Sequence, residues 1–171
     1  MFRVRLVVEN EIVIDRVLAG IEARARNVAP AWPAVVRAFQ TIVRRAFDTE
    51  GGSTGAPWAP LAPRTQADRR RHGFPPAHPI LERTGALARA LTIGEGAYVS
   101  MQPTRMEYRL GAAVGYFTYH QSTRPRTRLP RRAPVLLTAD DRTAMMHPIR
   151  LYITGRDVHA PRRAAWTGGA S

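Results

Sequence analysis

The 171-residue sequence has no cysteine, and every one of its 26 Lys-plus-Arg residues is arginine. The first absence excludes disulfides, zinc–thiolate centres and thiol nucleophiles. The second makes each strong base a guanidinium, the cation that grips carboxylate and phosphate as a two-pronged fork and stacks on aromatic rings. Acids are scarce as well: 13 Asp and Glu leave a net charge of +13, so the chain's field attracts nucleic acid or acidic protein surfaces. No apolar run approaches the roughly 20 residues that span a bilayer. The first eight residues alternate charged and apolar side chains and lack a signal peptide's apolar centre, so no membrane partner is expected.

What the sequence does have is enough apolar material, 44%, for one domain with a core of its own. Phe2, Val4 and Leu6 alternate with Arg3 and Arg5, a short strand pattern. Asn10 is placed to cap a following helix, in which Val13, Val17, Leu18, Ile21 and Val28 recur near helical spacing up to Ala29-Pro30. The strongest stripe follows: Trp32, Val35, Val36, Phe39, Ile42, Val43, Ala46 and Phe47 recur at three- and four-residue steps. Pro33 falls in the first turn of that helix, where a missing N–H is harmless, and Gly51-Gly52 ends it.

From residue 51 to 79 the chain is rich in Gly and Pro, with one helical turn expected at 66–71 and Trp58 isolated in the middle. Leu87 and Leu91 mark a shorter helix with Thr84 as its N-cap. Residues 97–101 and 105–110 predict a hairpin turning at Gln102-Pro103-Thr104. Arg124, Arg126, Arg128, Arg131 and Arg132, spaced by Pro125 and Pro130, predict a polyproline-like extension able to contact phosphate or an acidic neighbour, or else a solvated loop in an arginine-biased protein. Residues 135–137 suggest a strand, Thr138 caps a helix whose first turn holds Asp140 and Asp141, Pro148 stops that helix, and Ile149, Leu151 and Ile153 alternate as a final strand.

These readings add up to an α+β fold: a small antiparallel sheet packed with two to three amphipathic helices, carrying long extended arms. A single domain covers 1–154, with arms at about 51–79 and 122–134 and a tail at 155–171. Arms of Pro, Gly and Arg have little apolar surface with which to order themselves, so neighbouring chains are expected to shape them.

Residues in patterns that carry chemistry are sparse. His72 and His78 flank a Gly-Phe-Pro-Pro-Ala stretch without the ligand count of a metal site. His120 has no evident nucleophile to serve, and Gly51-Gly52-Ser53-Thr54-Gly55 lacks the Lys-Ser/Thr of a phosphate loop. No enzyme activity and no cofactor are expected.

Three stretches stand in a telling order: Gly55-Ala56-Pro57-Trp58-Ala59-Pro60-Leu61-Ala62-Pro63-Arg64-Thr65, then Ile80-Leu81-Glu82-Arg83-Thr84-Gly85-Ala86-Leu87, then Tyr116-Phe117-Thr118-Tyr119-His120-Gln121. Together they resemble the phage virion morphogenesis family, which includes Mu-like and P2-like tail-completion proteins. Ser122 after His-Gln, the arginine run and Pro148 depart from the usual pattern. The resemblance implies a structural protein of a tailed phage, assembled in the host cytoplasm and residing in the virion at the head–tail junction. It implies a homo-oligomeric ring, commonly six-fold, that contacts connector, neck and tail-tube proteins and the DNA passing through. Trp58, Leu61, Thr84, Leu87, Tyr119, His120 and Gln121 would then anchor loops or mediate assembly. A head-completion protein and a free basic nucleic-acid-binding protein are the alternatives.

Overall fold

The structure, a computed structural model, describes residues 11–124 and 129–156. Six helices and one hairpin follow in order: α1 (Glu11–Arg26), α2 (Trp32–Asp48), α3 (Pro63–Arg71), α4 (Ala86–Thr92), β1 (Tyr98–Met101), β2 (Met106–Arg109), α5 (Phe117–Gln121) and α6 (Ala139–Ile153). The class is α+β, as the pattern predicts. The strand expected at Phe2–Val8 and the tail beyond Arg156 lie outside the described residues.

The stripe of α2 organises the core because it faces two ways. Val43 and Phe47 pack with Trp58, Ile80, Leu87, Leu91 and Val114. At the other end Trp32 and Val35, with Val28, meet Met145, Ile149 and Ile153 of α6. Full burial of each large apolar side chain contributes about 1.5–3 kcal/mol, so this helix carries much of the fold's stability. Two strands alone are marginal in water, and the hairpin leans on the helices. The Trp32 indole N–H donates to the Gln102 carbonyl at 2.7 Å, and the Val28 N–H donates to that of Pro103 at 2.7 Å, both in the hairpin turn. The Tyr108 hydroxyl donates to the Ala90 carbonyl of α4 at 2.6 Å, and its ring tilts against Phe39. The register pairs Val99 with Tyr108 and Ser100 with Glu107.

Helix α1 forms but leaves part of its stripe uncovered: Ile14, Val17 and Leu18 are 46%, 54% and 57% exposed. It ends at Arg26, short of Ala29-Pro30, and is tied to α6 by Arg24 Nε donating to the Ile153 carbonyl at 2.8 Å. No helix among the described residues is long and apolar enough to cross a membrane.

The C-terminal third corrects the sequence reading. Pro148 does not stop a helix; it lies inside α6, and the final strand expected at 149–153 is helical. The alternation of Ile149, Leu151 and Ile153 hid a four-residue spacing, Met145, Ile149 and Ile153, which is the set that faces α2. A proline inside a helix costs about 3 kcal/mol, and partial burial of three large side chains is of similar size. Replacing Pro148 by alanine restores an N–H to the helix and is expected to raise the unfolding free energy by about 1–3 kcal/mol, measured by urea denaturation; a less stable variant would contradict this. The strand expected at 135–137 is irregular chain.

The start of α6 matches its pattern. The Thr138 hydroxyl oxygen accepts from the Asp141 N–H at 3.1 Å, and the Asp141 carboxylate accepts from the Thr138 N–H at 3.0 Å, closing a capping box. Arg45 of α2 donates to the same buried carboxylate at 2.6 Å. Burial pushes the Asp141 carboxyl up, but the bonds from Thr138 and the charge of Arg45 outweigh it and hold the group below its usual 3.8. A carboxyl depressed in the folded state stabilises above its unfolded pKa and loses that contribution as pH falls through the folded value. The D141N variant is therefore expected to be about 1–2 kcal/mol less stable than the parent at pH 7, with the gap closing below pH 3.8. A gap independent of pH in denaturation curves would refute the assignment.

Candidate assembly site

The three motif stretches meet in space. Gly51 closes α2 in the left-handed region, at φ +85°, where a Cβ would stand 2.6 Å from the Ala56 carbonyl oxygen and from Trp58 Cδ1. Only glycine allows the returning chain so close. Trp58 is 6% exposed, its ring edge-on to Phe47 with centroids 5.3 Å apart. Its backbone N–H donates to the Glu50 carbonyl at 2.7 Å, and its indole N–H donates to the Ala133 carbonyl at 3.2 Å. From the other side Arg132 reaches back: Nε donates to the Ala59 carbonyl at 2.7 Å and an Nη to that of Pro60 at 2.8 Å. Gln121 pairs with Val135 through both ends of its amide, accepting from the N–H at 3.2 Å and donating to the carbonyl at 2.7 Å. Residues 56–62 and 131–135 are thus clasped together by side chains bonded to backbone.

The clasp gives the stretch from 51 to 79 contacts within its own chain. Trp58 and Leu61 enter the core, and the single turn expected at 66–71 is the nine-residue helix α3. Its Arg69 is buried, one Nη donating to the carbonyls of Pro75 at 3.3 Å and Pro79 at 2.9 Å. The Glu50 carboxylate holds the same loop by accepting from the Ile80 N–H at 2.8 Å, with His78 Nδ1 at 2.8 and 2.9 Å from its two oxygens. Burial raises the Glu50 carboxyl, and the His78 and Ile80 bonds more than offset this, leaving it below its ordinary value. No local pattern links Glu50 to His78, because 28 residues separate them. Of the three consecutive arginines that end α3, Arg69 is buried and Arg70 and Arg71 are exposed, because successive helical positions point in different directions.

The other expected site residues divide. Leu87 is fully buried at the start of α4. Thr84 does not cap that helix: the cap position is Gly85, and the Thr84 hydroxyl accepts only a long 3.5 Å contact from the Ala86 N–H. Tyr119 is half exposed on α5. His120 sits edge-on to Tyr116 and lines a cavity. In the arginine run Arg132 is 5% exposed and serves the clasp, while Arg131 donates to the Gln121 carbonyl at 3.3 Å. Arg124 is exposed, and Arg126 and Arg128 lie outside the described residues. As a segment free to dock elsewhere, the run therefore ends before Arg132.

The cavity, about 490 Å³, opens between the loop at 60–62, the first turn of α3, α5 and the irregular stretch at 129–132. Pro60, Leu61, Leu81, Tyr116, Leu129 and Pro130 supply apolar wall, and Arg69, Arg83 and Arg132 supply charge. Arg83 also pairs with Asp68 at 3.1 Å and lies over the Phe74 ring. Burial, then the positive charge of Arg83, lowers the Arg69 pKa from its usual value; burial, then Arg69, lowers that of Arg132.

Compared with known families, residues 10–153 match the model of the phage virion morphogenesis family. No curated protein and no solved structure matches the chain.

Proposed function

The chain belongs to the phage virion morphogenesis family, and on that premise we propose that it is a tail-completion subunit forming a ring at the head–tail junction. A role in building the phage virion comes with the family; the position and the ring are our reading. The observation that carries it is how the motif residues are used. Trp58, Gln121 and Arg132 bond to main chain and fix two loops in a rigid frame, the kind of surface a partner docks on. The uncovered Ile14, Val17 and Leu18 of α1 offer apolar area for a neighbouring subunit. Exposed arginines such as Arg124 are available to DNA or acidic partners in the channel.

The test is a phage lacking this protein, complemented in trans. Filled heads and unjoined tails, seen by electron microscopy and joined again on complementation, are the expected result, with the protein carried on purified tails. Its presence on purified heads instead would favour a head-completion role. Normal infectious particles without it would end the reading, and salt-sensitive DNA binding by the monomer in that case would favour a free nucleic-acid-binding protein.

A further inference from the structure

We propose that the 490 Å³ cavity beside the clasp is a socket for a peptide segment of another virion protein, one that presents a carboxylate next to a large apolar side chain. This rests on the assembly reading above and adds the chemistry of the partner.

The charge distribution carries the argument. Arg69 and Arg132 are 4% and 5% exposed, and among the described residues neither forms an ion pair. Their bonds run to the carbonyls of Pro75, Pro79, Ala59 and Pro60, which orient the guanidinium groups but leave their charge uncompensated. The acid whose field reaches Arg69 is Glu50, already held by His78 and Ile80. With Arg83 the cavity is lined by three guanidinium groups and no acid. A buried cation without a counter-charge is costly, and a carboxylate entering the cavity would gain charge-assisted, two-pronged hydrogen bonds.

The walls decide between an acidic peptide and DNA. Leucine, proline and tyrosine surround the charge, and the space is concave and of small-ligand size. A phosphate backbone is met by open, solvated cations; a side chain or two of a peptide fills such a hollow and buries its apolar part. The preformed guanidinium positions mean that little ordering cost remains at binding.

The test uses the full chain, isotope-labelled, and three probes: the capped peptide Leu-Glu-Phe-Glu-Leu-Glu, its counterpart with glutamine for each glutamate, and a 12-base-pair DNA duplex. Methyl resonances of Leu61, Leu81 and Leu129 are followed. Saturable shifts with the glutamate peptide, at least tenfold weaker binding of the glutamine version and no competition from DNA are expected. The T65E variant adds a carboxylate to the cavity lining in the first turn of α3, where a negative charge suits the helix. It is expected to weaken the peptide at least tenfold, while T65Q stays within twofold. Equal binding of the two peptides, no shift with either, or DNA shifts that the glutamate peptide cannot displace would overturn the proposal. So would self-association that T65E abolishes without any peptide binding, since the occupant would then be a second copy. These titrations need no particle, so their failure leaves the head–tail test standing, and failure of that test leaves the titrations interpretable.

Discussion

Trp58→Ala is expected to lower the unfolding free energy by about 3–5 kcal/mol, the range for removing a large aromatic side chain from a packed core. Domains of this size have roughly 5–15 kcal/mol in total, so the variant would sit near the edge of folding at 37 °C. The size of the effect comes from what the indole joins. It packs against Phe47 of α2 and holds the Ala133 carbonyl, so the cavity left behind is bordered by two chain segments that lose their common partner. Trp58→Phe separates the contributions: it keeps an aromatic ring beside Phe47 and leaves the buried Ala133 carbonyl unpaired, an expected cost of about 1–3 kcal/mol. Hydrogen exchange of the Val135 amide, which Gln121 holds, should quicken in Trp58→Ala ahead of amides in α2. A loss below about 1 kcal/mol for Trp58→Ala, with Val135 exchange unchanged, would show that the clasp does not depend on the ring.

The second large effect is expected at Arg132. Its two bonds to the Ala59 and Pro60 carbonyls, at 2.7 and 2.8 Å, involve a charged donor, and such bonds contribute about 1.5–3 kcal/mol each. Desolvating the guanidinium opposes them, so Arg132→Ala is expected to lose about 2–4 kcal/mol in denaturant titrations. Lysine should recover less than half of that loss. An ammonium is a point charge on a flexible stem and does not reproduce the planar fork that meets two successive carbonyls. Full recovery by Arg132→Lys would mean that charge, not geometry, is what the site requires.

These two residues show where sequence was informative and where it was not. Helix α2 was legible because its code is local: eight apolar positions at three- and four-residue steps, a proline in the first turn and glycines at the end define a helix and its buried face without knowledge of anything else. The hairpin and the Thr138–Asp141 cap were legible for the same reason, since the residue pattern that marks each lies within a few positions. Where two local patterns competed, tertiary contact chose. Residues 149–153 fit strand alternation and helical spacing alike, and the apolar partners offered by Trp32 and Val35 selected the helix in spite of Pro148.

The order of the three motif stretches pointed to a family, and the family holds. What those residues do was beyond local reading. Nothing near Arg132 in sequence distinguishes it from Arg131, yet one is buried against carbonyls more than 70 residues away and the other lies on the surface. Glu50 and His78 look unrelated until the loop returns. Sequence alone thus determined the helical stripes, the turns and the excess of positive charge, because spacing and composition act at short range. The clasp, the inward turn of Arg69 and Arg132, and the cationic cavity they line were decided by the tertiary structure, because burying Trp58 brings together backbone carbonyls and guanidinium groups that the chain keeps far apart.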